Sequence, residues 1–150
     1  MTKEFIEKEV EKVFKSYPQP LNMAMVSAWI LGNLKGQALK VLDVKSHSTL
    51  ADYYVLASST NPTQASAMVD EIGRIARKQG TSVLSVEGRN SADWVLIDLG
   101  LVIVHIFSEK DRSIYNLDGL YKDAKSVQIP EEFYFTTPES VPEDEDGGFF

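Results

Sequence analysis

The feature that most constrains the fold is a pair of apolar segments joined by a very short turn. Residues 94–99 and 102–107 are rich in β-branched and aliphatic side chains, and only Gly100 and Leu101 separate them. This arrangement predicts an antiparallel β-hairpin. If the turn has two residues, one face of the hairpin is wholly aliphatic, which predicts that this face joins the core. A three-residue turn would shift the pairing and mix the two faces.

The other face of this hairpin combines aromatic, aliphatic and ionisable side chains. A two-residue turn places six residues there: Trp94, Leu96, Asp98, Ile103, His105 and Phe107. A large aromatic residue with an apolar neighbour and a carboxylate suits a protein-binding surface. The alternative is that a helix covers this face and that backbone donors satisfy Asp98. Asp98 and His105 would lie diagonally, about 7–8 Å apart at the backbone, which raises the hypothesis of a hydrogen-bonded pair.

The remaining segments predict an α/β (α+β) fold, in which helices flank one mixed sheet of about five strands. Apolar spacing predicts helices over 3–17, 22–35, 62–79 and 109–125, and further strands over 39–44, 50–57 and 81–86. The strand, helix and strand order around 62–79 predicts at least one parallel pair. The hairpin adds an antiparallel pair, so the sheet is expected to be mixed.

By composition, the chain divides into three parts. Residues 1–20 form an amphipathic helix and linker, residues 21–127 form the main domain, and residues 128–150 form an acidic tail that we expect to be largely disordered. The N-terminal helix either docks on the domain or mediates self-association. The tail either solubilises the protein or steers it towards basic partners, and its aromatic residues could also dock on the domain or on a partner.

Charge and residue content exclude several kinds of chemistry. Seven of the 22 acidic residues lie in 131–150, which leaves 15 acids against 15 bases elsewhere, so little direct binding of nucleic acid is expected. There is no Cys, and the only histidines are His105 and His47, which lies in a polar turn and is expected to be solvated. We therefore expect no metal and no cofactor. No segment has the length and apolarity of a membrane span or the pattern of a targeting signal, which predicts a cytoplasmic protein.

Several motifs between residues 22 and 122 are distinctive when taken together. They are 86–88, 91–100 and 102–107, supported by 42–44, 52–56, Gln64, Arg112, Tyr115, Leu117 and Leu120. This set resembles the ribosomal silencing factor family (RsfS, also called Iojap-like). The resemblance implies a nucleotidyltransferase-like fold that lacks the active site of those enzymes.

The resemblance also implies a function. Members of this family bind universal large-subunit ribosomal protein fourteen and block the surface on which the small subunit docks, which represses translation when nutrients are short. Some members are tied to large-subunit maturation, and members can self-associate, so a homodimer is possible here. Together with the hairpin geometry, the resemblance predicts five partner-binding residues: Trp94, Leu96, Asp98, Leu101 and His105.

Two other functions stay open at this point. The protein could assist assembly of the large subunit without silencing it, because the same contact would serve both roles. It could also be a nucleotidyltransferase-like enzyme, although two-metal phosphoryl transfer needs clustered carboxylates. Such a site commonly has two acids separated by a single residue on one strand. No predicted strand has this pair, because each strand acid stands without one: Asp43, Asp52 and Asp98. We therefore expect no catalytic residues.

The sequence departs from the family pattern at several positions. Leu101 stands where the family usually has Asp, and Ser59 and Thr63 stand where it commonly has Gly and Arg. Tyr121 replaces a frequent Trp, and Lys110 stands where an acid is expected. We expect these differences to alter the affinity for the partner and to leave the fold intact.

Overall fold

The computed structural model describes residues 2–91 and 93–134. The helices are α1 Lys3–Ser16, α2 Leu21–Asn33, α3 Pro62–Lys78, α4 Glu109–Tyr115 and α5 Leu117–Leu120, and a 3₁₀ turn covers Glu131–Phe133. The strands are β1 Gln37–Asp43, β2 Tyr53–Ser59, β3 Ser85–Glu87, β4 Trp94–Asp98, β5 Val102–Ser108 and β6 Lys125–Val127. Within these two ranges, none of the helices has both the length and the apolar character that crossing a membrane requires.

The six strands form one mixed sheet in the order β3-β4-β5-β2-β1-β6. The central strands β2 and β5 are parallel, and the other neighbouring pairs are antiparallel. The predicted mixed α/β sheet is therefore confirmed, with one strand more than expected. Strand β6 is missed by the sequence analysis because three residues are too few to show an alternating pattern.

The hairpin follows the two-residue turn. The Leu99 N–H donates to the Val102 carbonyl at 2.9 Å, and Trp94 lies opposite Phe107. Six side chains of the aliphatic face are buried in the main core: Val95, Ile97, Leu99, Val102, Val104 and Ile106. The predicted separation of the two faces is confirmed, because successive side chains of a strand point to opposite sides of the sheet.

Helices α2 and α3 pack against the aliphatic face, and α1 packs on α2. The sequence predicts one apolar stripe on α2, with Trp29 beside it as a contact for the N-terminal helix, and α2 is buried over residues 22–32. The reason is that Val10 and Val13 of α1 join the same core as Trp29. Glu7 of α1 also pairs with Lys78 of α3 at 2.7 Å. The N-terminal helix thus docks on the domain.

The predicted single helix over 109–125 is wrong. Asn116 adopts a left-handed conformation with φ 48° and ψ 48°, and its side chain accepts a hydrogen bond from the Gly119 N–H, so α4 ends and α5 begins there. Asn tolerates this conformation better than most residues because its short polar side chain can bond locally. The break leaves two short helices, and the chain then continues into β6.

Residues 128–134, the start of the predicted acidic tail, return to the body of the domain. Phe133 is only 6% exposed and belongs to the same core as Trp29 and Val13. Residues 135–150, which make up most of the predicted tail, lie outside the described residues. The contact of Phe133 shows how an aromatic side chain can hold the chain on α2 where the surrounding sequence is polar.

We expect Gly32→Ala to destabilise the protein by about 1–3 kcal/mol, as overpacking does. A Cβ atom at Gly32 would overlap the backbone carbonyl of Phe133, which cannot move without leaving α2. Gly73→Ala in α3 is the matched control, because its Cβ would meet only the flexible end of Arg77. Urea denaturation should show a loss of stability for Gly32→Ala and none for Gly73→Ala. Equal stability of the two variants would contradict this packing.

Candidate protein-binding surface

The second face of the sheet carries a smaller apolar cluster that is only partly covered. Its buried members are Leu42, Val44, Ala51, Tyr54, Leu56, Ile103, Phe107 and Leu117. The short helices α4 and α5 lie over the middle of this face, while Trp94 and Leu96 on β4 remain half-buried at its side. The two alternatives from the sequence therefore apply to different parts of one face: helices cover the centre, and the side formed by β4 stays open.

Polar contacts fix α4 and α5 over the centre of the sheet. Ser108 caps α4, because its hydroxyl accepts from the Asp111 N–H at 3.2 Å and donates to the Asp111 carboxylate at 2.6 Å. Arg112 donates to both carboxylate oxygens of Asp118, at 2.7 and 3.0 Å, and to the Ser58 hydroxyl at 3.0 Å. The hydrogen bonds from Arg112 lower the pKa of Asp118 to about 2. This bidentate pair joins the two helices to each other and to the end of β2.

Trp94 is held by three neighbours. Its ring stacks on Phe107 with the ring centroids 5.0 Å apart, and it also contacts Tyr115 of α4, with a centroid distance of 4.8 Å. Its Nε1–H donates to Nδ1 of His105 at 3.1 Å. The indole ring is therefore fixed within the folded protein, and its one hydrogen-bond donor is already used.

His105 lies beneath Trp94 and not at the surface. It is 4% exposed, and the Tyr54 ring meets it edge-on at a centroid distance of 4.9 Å. Since Nδ1 accepts a hydrogen bond, the neutral ring carries its proton on Nε2, which is buried and has no hydrogen-bond partner among the described residues. Burial lowers the pKa of His105 from its ordinary value of 6.5 to about 4. Of the five predicted residues, His105 therefore lies under the Trp94 ring and is buried.

The structure places Asp98 on the same face as Trp94 and Leu96, further along β4. The Asp98 carboxylate accepts a hydrogen bond from the Gly100 N–H at 2.8 Å. A backbone donor to Asp98 is one of the two interpretations of this face that the sequence allows. Asp98 does not pair with His105, whose Nδ1 is bonded to Trp94. The hypothesis of an Asp98–His105 pair is therefore wrong, because each group has another hydrogen-bond partner.

Leu101 lies apart from Trp94. It lies in the hairpin turn, at the end of β4 opposite to Trp94, and is exposed. It lines a crevice that also contains Phe14 of α1 and Met23 of α2. Leu101 and Trp94 therefore do not form one continuous patch.

The structure adds residues to this surface that the sequence analysis did not select. Ile114 on α4 and Leu120 on α5 are 66% and 72% exposed, and Tyr115 is about half exposed. Glu87 of β3 pairs with Leu96 and is exposed, which puts a second carboxylate on the same face as Asp98. The family motif already contained Tyr115 and Leu120, but their exposure depends on the break at Asn116, which the sequence pattern does not show.

The surface around Trp94 offers aromatic rings, aliphatic side chains and carboxylates. These groups suit the binding of an apolar and basic protein surface. Across residues 2–91 and 93–134, no group of three or more His, Cys, Asp or Glu side chains is arranged to hold a metal ion.

The fold is that of a mixed α/β domain with one sheet face partly open. The family model described as "Ribosomal silencing factor during starvation" (RsfS) matches residues 17–147. A ribosomal silencing factor RsfS of Halalkalibacterium halodurans is 36% identical over 95 residues, which are 63% of this chain and 81% of that protein. The chain belongs to the RsfS family.

Two further comparisons bear on the fold and on the range of relatives. A crystal structure of a protein from Bacillus halodurans superposes with a TM-score of 0.62 at 31% identity and covers 75% of this chain and 100% of that one. A protein of Mus musculus named mitochondrial assembly of ribosomal large subunit protein 1 is 25% identical over 111 residues, 69% of this chain and 46% of that protein. The family resemblance found in the sequence is confirmed, and the family match extends past residues 22–122 at both ends.

We expect the buried His105 to make stability depend on pH. The pKa is about 4 in the folded protein against an ordinary 6.5, so between these values the unfolded chain binds a proton that the folded chain does not. The free energy of unfolding is therefore highest above pH 6.5, where His105 is neutral in both states, and it decreases as the pH falls towards 4. Urea denaturation should show the free energy of unfolding decreasing by about 2 kcal/mol between pH 7 and pH 5.

Two variants serve as controls for this prediction. His105→Gln should lose most of this pH dependence because it removes the titrating group. His47→Gln should keep it, because His47 is exposed. An unchanged pH dependence in His105→Gln would assign the effect to another group.

Proposed function

We propose that this protein binds the large ribosomal subunit through universal large-subunit ribosomal protein fourteen, in the cytoplasm, and blocks joining of the small subunit when nutrients are short. Membership of the RsfS family supports the ribosomal role. The observation that carries the proposal is the half-open aromatic surface around Trp94. To block subunit joining, a protein must bind the joining surface tightly and fill it, and it needs no catalytic residue.

The centre of the proposed contact is Trp94. Leu96 lies beside it on β4, and Tyr115 of α4 contacts its ring at a centroid distance of 4.8 Å. Large aromatic residues at the centre of an interface often carry much of the binding free energy. A ring whose orientation is already fixed loses little conformational entropy when a partner arrives.

The charges on this face suit a basic partner. Glu87 lies opposite Leu96 in the sheet, and Asp98 lies further along the same face of β4. Strands β3, β4 and β5 contain no Lys or Arg. Two carboxylates beside an apolar centre speed association with a cationic protein and disfavour acidic ones.

The apolar surface extends beyond the hairpin. Ile114 and Leu120 are mostly exposed on α4 and α5, next to the helix corner that Arg112 and Asp118 hold in place. Stable protein complexes bury about 1,200–2,000 Å² in total. We propose that the two helices supply the part of this area that β4 alone is too narrow to provide.

We expect Trp94→Ala to weaken binding to purified large subunits by at least about 2 kcal/mol, or about 30-fold, because it removes the central aromatic side chain. Co-sedimentation over a range of protein concentrations measures the change. Phe5→Ala is the matched control, since Phe5 is a partly exposed aromatic residue on α1, away from β4. Undiminished binding by a folded Trp94→Ala protein would refute the proposed contact.

We expect the wild-type protein to reduce the joining of small to large subunits in a dose-dependent way. Trp94→Ala should need about 30 times more protein for the same effect, in line with its lower affinity. Light scattering of mixed purified subunits measures joining directly. If large subunits saturated with the wild-type protein still joined small subunits normally, blocking would be excluded even though binding was intact.

Assembly of the large subunit is the second candidate function, and the name of the mouse relative favours it. The same contact could serve both roles, so growth conditions must separate them. A shortage of large subunits in depleted cells growing in rich medium would support assembly. A translation defect confined to starved cells would support silencing.

A further inference from the structure

We infer that His105 is a positioning residue for Trp94, and that the partner meets the Trp94 ring with an apolar or cationic group and not with a hydrogen-bond acceptor. The inference rests on the proposed function and specifies the chemistry of the partner's side of the contact. Two observations support it: the Trp94 indole N–H donates to His105, and the surrounding residues keep the His105 ring in place.

The acceptor lies on a central strand of the sheet. His105 belongs to β5, where it is paired with Leu96 of β4 on one side and with Leu56 of β2 on the other. Its backbone is therefore fixed by hydrogen-bonded strands on both sides. A hydrogen bond of 3.1 Å from Trp94 Nε1 to this ring ties the indole to a strand that is paired on both sides.

The surroundings keep His105 in the form that accepts this bond. Three aromatic rings pack around it: Tyr54 from β2, Trp94 from β4 and Phe107 from its own strand. The Tyr54 hydroxyl lies 3.4 Å from the hydroxyl of Tyr121. Among the described residues, no carboxylate is placed to stabilise a charged His105 ring, and its pKa falls through burial alone. The neutral ring, with Nδ1 free to accept, is therefore the stable form near neutral pH.

This arrangement limits what Trp94 can offer to a partner. An indole has one N–H, and giving it to a partner would leave Nδ1 of His105 buried without a donor, which is unfavourable. What stays available is the part of the ring that Phe107, Tyr115 and His105 do not cover, and that part offers only C–H groups and π-electrons. These groups attract aliphatic side chains and cations, in agreement with the carboxylates of Glu87 and Asp98 on the same face.

Two substitutions at His105 separate positioning from simple packing. His105→Leu fills a similar volume but removes the acceptor, whereas the amide oxygen of His105→Gln can still accept the indole N–H. We expect His105→Leu to lose about tenfold in affinity for purified large subunits, and His105→Gln to stay within about threefold of wild type. Thermal unfolding of each full-length variant verifies that it is folded.

A spectroscopic measurement tests the hydrogen bond without the ribosome. In ¹H–¹⁵N spectra, the indole N–H signal of Trp94 is the one that disappears in Trp94→Ala, and Trp29 provides the internal reference. We expect the Trp94 signal to shift and to exchange faster with water in His105→Leu, and to remain near its wild-type position in His105→Gln. The Trp29 signal should be the same in both.

Each outcome has one meaning. Wild-type affinity of a folded His105→Leu protein, or equal losses in both His105 variants, would overturn the positioning role. An unchanged Trp94 signal in His105→Leu would overturn the hydrogen bond itself. If Trp94→Ala bound as well as wild type, the proposed contact would fail, and the spectra would still report whether His105 positions the ring.

Discussion

The register of the β4–β5 hairpin determines which side chains enter the core and which lie on the partly open face of the sheet. A two-residue turn sets Trp94 opposite Phe107 and sends six aliphatic side chains of the pair into the main core. A slip of one residue would bury Trp94 and expose Val95 and Ile97, because side chains alternate along a strand. Since β5 is also the parallel partner of β2, this register extends to the centre of the sheet.

The proposed function depends on the unequal covering of the two sheet faces. Helices α1, α2 and α3 build a thick layer on the aliphatic face, whereas only eleven helical residues, in α4 and α5, lie over the other face. The bidentate pair of Arg112 and Asp118 keeps these short helices in place. Short helices have little stability of their own, so such tertiary contacts must hold them. The uncovered strip along β4 is thus a stable feature of the fold.

The sequence predicts well those features that depend on local alternation and poorly those that depend on distant contacts. The two faces of the hairpin follow from a period of two, and the α3 boundaries follow from Asn61 as the cap and Pro62 as the first residue. The docking of Phe133 on α2 and the pairing of β6 with β1 join segments that are far apart in sequence. The same holds for His105: alternation along β5 places it on the aromatic face, but its burial depends on Tyr54 of β2 and Trp94 of β4, which a pattern along one strand does not reveal.

The departures from the family pattern fall in places with different physical demands. Ser59 is buried and its hydroxyl lies 3.4 Å from the Phe107 carbonyl, so a residue larger than Gly is accommodated by one extra polar contact. Thr63 is exposed at the start of α3, where a change of side chain costs little. Leu101 shares a crevice with Phe14 of α1, far from Trp94. An apolar residue in that turn therefore suits a chain whose N-terminal helix packs nearby, and its effect falls on that helix more than on the surface around Trp94.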